Sequence, residues 1–178
     1  MKVVVFDYLG SIDPDSVGAV MDVGTWQAQP GIADAIAHLN HHGWHVVQAV
    51  NQPGLGRGSL EIAELTAVQK SLQKILNAAG GRIEAFFFCP HAPEEHCDCR
   101  KPAPGLLLQI AARCGVAPQE LWVVGLCQAH IQAGLAVGAK VALVMPDPSL
   151  HIDCTLCAQS PLPRYANWMA LAHALAPD

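Results

Sequence analysis

Five soft donors fall within the eleven residues from Cys89 to Cys99: Cys89, His91, His96, Cys97 and Cys99. Thiolates and imidazoles are the ligands that tetrahedral zinc prefers, and four of them in a loop bounded by prolines can close around one ion without help from distant elements. Cys89, His91, Cys97 and Cys99 form the expected ligand set, with His96 as a spare donor able to replace His91. The competing reading, small core thiols or a disulfide, suits a lone cysteine better than this density of donors. Four protein ligands leave no open position for water, so the Zn2+ is expected to be structural, holding a loop too short and polar to fold by burial alone. The loop runs directly into Arg100 and Lys101, and its purpose would be to aim those two cations.

The elements that must position this loop are bounded first by composition. A chain of 178 residues with 52% hydrophobic content can bury one full core, so a single domain over residues 1–178 is expected. The net charge is −5 and the basic residues are scattered, which argues against a nucleic-acid partner. No apolar run approaches the length of a membrane span, and the first seven residues do not read as a secretory signal. A cytoplasmic location is expected. There, seven cysteines are metal ligands or buried thiols rather than disulfides.

Along the chain, Lys2–Phe6 is an unbroken β-branched and aromatic run, as expected of a parallel strand covered on both faces. Asp7 follows at its C-terminal end, where open α/β sheets bind ligands; the plainer alternative is an acid capping a turn before Gly10. Apolar residues at 32, 36 and 39 predict a helix over residues 32–40, closed by Gly43. His38, His41 and His42 near its end read either as a metal tract or as solvated side chains at the negative helix terminus. A second strand is predicted over residues 44–50. The loop after it, with Asn51, Arg57 and three glycines, has a backbone able to approach a ligand closely.

From Ser59, the predicted cap, a long amphipathic helix runs to Gly80, and a third strand over residues 83–88 delivers the chain into the cysteine loop. A helix over residues 106–113, a strand over 121–125, a helix to Ala136, a strand over 140–145 and a last helix over 165–176 complete the pattern. Alternation of this kind predicts an α/β doubly wound, Rossmann-like fold with a predominantly parallel central sheet. His151, Cys154 and Cys157 offer a second metal site or redox pair, or simply two thiols under a loop.

Four stretches together resemble the haloacid dehalogenase (HAD) superfamily, in its branch of D,D-heptose bisphosphate and histidinol phosphate phosphatases. They are residues 5–11 around Asp7, residues 50–58 around Asn51, the cysteine loop with Arg100-Lys101-Pro102, and Val123-Val124-Gly125-Leu126. The resemblance implies a HAD fold with a zinc loop and no large cap domain. It places Asp7 where the family has the nucleophile that becomes an aspartyl phosphate, and Lys101 where it has the phosphate-binding lysine. Asn51, Arg57 and Arg100 fall where substrate would bind.

Three positions depart from the family's pattern. Leu9 stands where the resemblance implies a general acid–base Asp, Val50 where it implies a hydroxyl, and Leu126 where it implies the Asp that holds Mg2+. A missing general acid typically costs about 10²–10⁴-fold in rate. The expectation is therefore an impaired or inactive phosphatase homologue with a ligand-binding or regulatory role, doubtful Mg2+, and a small phosphorylated molecule or other anion, or a protein, as partner. The alternative is a working phosphatase for a small sugar or alcohol phosphate through Asp7, with Asp13, Asp15 or His130 recruited as acid or base. A zinc hydrolase would need an open zinc position, which four ligands deny.

Overall fold

The computed structural model describes residues 1–7, 27–145 and 162–177. Leu9, Asp13 and Asp15, and the His151, Cys154 and Cys157 group, lie outside the described residues. In chain order the elements are β1 (Lys2–Phe6), α1 (Ile32–His41), β2 (Trp44–Asn51), the single turn α2 (Pro53–Gly56), α3 (Ile62–Ala78), β3 (Ala85–Cys89), α4 (Gly105–Cys114), β4 (Trp122–Gly125), α5 (Gln128–Ala136), β5 (Lys140–Val144), β6 (Arg164–Tyr165) and α6 (Trp168–Leu175).

The strands form one parallel sheet in the order β3-β2-β1-β4-β5-β6. β1 lies at its centre, with Val5 beside Val47 of β2 on one side and Val123 of β4 on the other. From β1 the chain winds outward through β2 and β3, then returns and winds the other way through β4 and β5. Strand order therefore reverses between β1 and β4, and the crevice beyond their C-terminal ends is where such sheets take ligands. Asp7 and Leu126 are the first residues past those two ends.

Side-chain alternation along β1 explains why both faces are covered. Val4 and Phe6 point into a core made with Ile36, Leu39, Leu72 and Trp168, so α1, α3 and α6 pack there. Val3 and Val5 point into the opposite core with Leu107, Ile110 and Ile131, from α4 and α5. The centre of β1 is fully buried on both sides, which is why its sequence shows no polar alternation. No described helix is long and apolar enough to cross a membrane.

Several predicted boundaries move. β2 runs on to Asn51, and β3 is shifted to include Cys89, because Asn51 and Cys89 are themselves paired in the ladder. Ser59 does not cap α3; its Oγ donates to Gly54 O at 3.4 Å, and the helix begins after Glu61, whose N–H donates to Glu64 Oε2 at 2.7 Å. The last helix starts at Trp168 rather than 165, since Arg164–Tyr165 pairs with β5 as an edge strand. His38 Nε2 donates to Ala176 O at 2.7 Å, and its ring lies against those of His42 and His173. The only grouping of potential metal donors among the described residues is the cysteine loop, so the metal reading of His38, His41 and His42 is not supported.

Candidate active site

Asp7 is fully buried at the switch point. Its Oδ2 accepts hydrogen bonds from the backbone N–H groups of Leu126 (3.1 Å) and Cys127 (2.8 Å), the turn that leaves β4. Its Oδ1 is buried with no hydrogen-bond partner. One oxygen is thus oriented by two backbone N–H groups and the other makes no hydrogen bond. Burial pushes the Asp7 carboxyl up to about 6, against the opposing pull of Lys101 and of the Cys127 and Leu126 N–H groups. Gly125 makes this arrangement sterically feasible. A Cβ built there would fall inside the Asp7 carboxylate, so any side chain at 125 displaces it.

Lys101 is also buried, at 2% exposure, and its Nζ donates to Ala49 O (2.6 Å) and to His130 Nδ1 (2.9 Å). Burial lowers its pKa, and the charge of Asp7 opposes that shift. The backbone of Lys101 is clamped by Asn51: Asn51 Nδ2 donates to Lys101 O and Lys101 N–H donates to Asn51 Oδ1, both at 2.9 Å. Asn51, expected as a substrate contact, is therefore committed to docking the cysteine loop onto the end of β2. Sequence reasoning missed this clamp. The paired position of Asn51 beside Cys89 in the ladder, invisible in one sequence, is what brings the two segments together.

Cys89, His91, Cys97 and Cys99 converge as the spacing implied, with donor atoms all within 4.8 Å of one another. The sulfur separations run from 3.2 to 3.6 Å, and His91 Nδ1 lies 3.2 Å from Cys99 Sγ and 3.5 Å from Cys89 Sγ. A regular tetrahedron with zinc–sulfur bonds of about 2.3 Å has sulfur–sulfur edges of about 3.8 Å, so the four donors fit one zinc ion with small relaxation. His96 adopts the left-handed conformation (φ 48°) and is exposed, outside the cluster. The choice between the two histidines, open in the sequence, falls to His91.

The glycine-rich loop after β2 serves this cluster rather than a ligand. Gly56 N–H donates to Pro90 O at 2.8 Å, and a Cβ at 56 would meet the backbone at Pro90 and Ala92. Arg57 lies at the exposed rim, with its Nη2 3.2 Å from Glu94 Oε1. The Glu94 carboxyl is held below its usual range by its own backbone N–H first, then by Arg57 and by the charge of Arg100. Arg57 therefore pairs with Glu94 at the rim, where the charge of Arg100 is also felt, while Lys101 is buried within electrostatic reach of Asp7. Arg100 Nη1 is buried without a hydrogen-bond partner. Val50 is a buried β2 residue with no hydroxyl to offer, and Leu126 contributes to Asp7 through its N–H alone.

His130, considered as a base from sequence, is fully buried on α5 and has both ring nitrogens engaged, Nδ1 with Lys101 Nζ and Nε2 with Val5 O at 3.1 Å. A group so placed cannot exchange protons with a substrate.

No protein-family model matches the chain. Curated relatives do: a D-glycero-beta-D-manno-heptose-1,7-bisphosphate 7-phosphatase of Pseudomonas putida is 40% identical over 144 residues, covering 81% of this chain and 82% of the relative. The chain belongs to the heptose bisphosphate phosphatase family of the HAD superfamily. A second member, from Helicobacter pylori strain J99, is 30% identical over 169 residues, covering 94% of this chain and 97% of that one. Among solved structures, the D,D-heptose 1,7-bisphosphate phosphatase of Bordetella bronchiseptica, complexed with magnesium and phosphate, superposes with a TM-score of 0.83 at 32% identity, covering 98% of each chain. The Burkholderia thailandensis enzyme gives 0.68 at 32% identity, covering 100% of each chain.

These heptose bisphosphate phosphatases correct one expectation. Relatives named as phosphatases do not support the impaired homologue read from Leu9, Val50 and Leu126, and fit the hydrolysing alternative better. The magnesium in the Bordetella complex likewise weighs against calling the ion doubtful. In the present chain, Asp7 is the described carboxylate able to meet it, through the unpartnered Oδ1. Mg2+ is commonly held by one or two carboxylates together with substrate phosphates, and Asp7 with a bound phosphate meets the lower of those requirements.

Proposed function

We propose that this chain hydrolyses a phosphate monoester of a small sugar through an aspartyl phosphate on Asp7, with heptose 1,7-bisphosphate as the first substrate to test. The observation that carries the reading is the divided carboxylate of Asp7, one oxygen fixed by two N–H groups and the other buried without a partner, within the field of the Lys101 ammonium. Asp7 attacks phosphorus and the ester P–O bond breaks, its electron pair leaving with the alcohol oxygen. Lys101 offsets charge on the transferred phosphoryl group. Water then attacks the same phosphorus, returning the carboxylate and releasing inorganic phosphate. Mg2+, held by Asp7 and the substrate phosphate, supplies screening of the two anions. A structural Zn2+ on Cys89, His91, Cys97 and Cys99 fixes the loop that carries Lys101, and Arg57 and Arg100 offer cations to the second, non-reacting end of the substrate.

Leu9 cannot donate a proton, so the leaving oxygen takes its proton from water unless Asp13 or Asp15 supplies it. An aryl phosphate is therefore expected to turn over about 10²–10⁴-fold faster than an alkyl phosphate, the margin a general acid ordinarily provides. Equal rates for the two would indicate that another acid has taken the role. Such a panel, run with the heptose bisphosphate, tests the proposal as a whole: no phosphate release from any of them sinks it.

The pH profile follows from Asp7. The attacking form is the carboxylate, and its pKa lies at about 6 because of burial. At sub-saturating Mg2+, kcat/KM is expected to fall about tenfold per pH unit below that value and to level off above it. A bound cation favours the ionised form, so saturating Mg2+ is expected to move the acid limb to lower pH. A limb that ignores Mg2+ would contradict an ion at Asp7.

A further inference from the structure

Gln48 is the one polar side chain between Val46 and Val50 on β2. The strand is covered on both faces: Trp44 and Val46 enter the core made with α1, α3 and α6, and Val47 and Ala49 enter the opposite one. Side-chain alternation puts Gln48 on the face of Trp44 and Val46, half-buried, where a valine would extend the apolar run. A polar group in such a place is costly unless it is hydrogen-bonded. Gln48 meets that condition on Asp7 itself, for its Nε2 donates to the main-chain Asp7 O at 3.0 Å.

Asp7 lies past both of its neighbouring ladders. The paired residues of β1 end at Phe6, opposite Gln48 of β2 and Val124 of β4. Beyond that point the carboxylate is held from β4, through the Leu126 and Cys127 N–H groups, and the carbonyl is held from β2, through Gln48. The first anchor opposes rotation of the side chain, and the second opposes movement of the main chain that carries it. Attack on phosphorus depends on both, because a displacement of about 1 Å at the reacting atom can cost about 10²-fold in rate.

We propose that Gln48 is a positioning residue for phosphoryl transfer, fixing the main chain of Asp7 from β2 so that the carboxylate stays aligned with the phosphorus of a bound phosphate ester. This rests on the phosphate-ester reading of the site. The residue acts through Asp7, and the role is carried by a strand that contributes no reacting group.

The test compares Gln48→Met, with Val46→Ala as a control, against the wild-type chain. Methionine keeps the length and unbranched shape of glutamine but has no N–H to donate. Val46→Ala hollows the same face of β2 two residues earlier and removes no donor to Asp7. The measurements are kcat and KM for a phosphate monoester in Mg2+, thermal melts, and carbon-13 NMR of the Asp7 carboxyl at fixed pH. In Gln48→Met, kcat is expected to fall about 10–10²-fold with KM within about threefold of wild type. Its Asp7 carboxyl signal is expected to move, and its Tm to stay within about 4 °C of wild type. Val46→Ala is expected to melt lower yet to keep kcat within about threefold and the carboxyl signal in place. Activity that follows Tm across the two variants, or a raised KM at unchanged kcat in Gln48→Met, overturns the proposal.

The NMR arm separates this proposal from the reading beneath it. Wild-type protein that releases no phosphate from any ester counts against the phosphate-ester reading, and the Asp7 carboxyl signal then decides the tether alone. A signal that does not move in Gln48→Met overturns the positioning role whether or not the wild type turns over.

Discussion

Stripping zinc with a chelator, or replacing Cys89 with Ser, is expected to cost more than about 4 kcal/mol of stability in the loop-bearing half of the molecule, the scale associated with losing a structural metal. The four donors lie within 4.8 Å of one another, and three of them are cysteines that would otherwise crowd as thiols. Burial, and then the hydrogen bond with Cys99, push the Cys89 thiol up to about 12, so this sulfur stays protonated at neutral pH unless a metal displaces the proton. Zinc binding therefore releases protons, and affinity falls as pH falls. The two cores on either face of the sheet do not include the donor loop beyond Cys99, so the sheet is expected to persist while the loop unravels. Lys101 lies two residues beyond Cys99, and its release would remove phosphate affinity together with the metal. Metal analysis of cleanly prepared protein and thermal melts with and without chelator check this. Protein that contains no zinc and melts identically in both conditions would refute the structural role.

Gly125→Ala is expected to remove phosphatase activity by more than about 10³-fold and to destabilise the fold by about 1–3 kcal/mol, the usual range for overpacking a filled site. The added methyl would occupy the space of the Asp7 carboxylate, and Asp7 is fixed on its other side by the buried end of β1. Either Asp7 rotates away from the Leu126 and Cys127 N–H groups or the β4 turn moves, and both separate the nucleophile from its orienting donors. Gly31→Ala serves as the control. Gly31 has φ +76° and nothing within 4 Å of a built Cβ, so that change costs backbone strain alone and is expected to leave activity intact. Kinetics and denaturant melts on the two variants separate steric loss at the site from general destabilisation; equal activity losses would contradict the special role of Gly125.

The fold was legible because its strands announce themselves. The uniformly apolar β1 and the alternation of strand and helix imply a parallel sheet, whereas the register that sets Val5 beside Val47 and Val123 is seen only in the structure. The metal cluster was legible because its donors are local, within one loop. What stayed hidden was long-range. The Asn51 clamp joins residues fifty apart, and the contact of His130 Nε2 with Val5 O joins residues 125 apart, so neither has a spacing to detect. Gly56 looked like a ligand-facing glycine because sequence shows only that a close approach is possible, not what approaches; the structure supplies the backbone at Pro90 and Ala92. Ser59 was a sound cap by residue type, but the turn around Gly58, with φ +70°, carries it back toward Gly54 and leaves the cap to Glu61.

The central claim is that Asp7 is the nucleophile of a phosphatase, and the measurement closest to it is phosphate release by the wild-type chain and the Asp7→Asn variant, side by side in Mg2+. Asparagine preserves the size of the side chain and its oxygen toward the Leu126 and Cys127 N–H groups while removing the attacking carboxylate. The expected result is Mg2+-dependent release by the wild type and a loss of at least about 10⁴-fold in the variant, with the variant still folded and still binding phosphate. Equal release by the two proteins, or none from the wild type on any phosphate ester, would contradict the account.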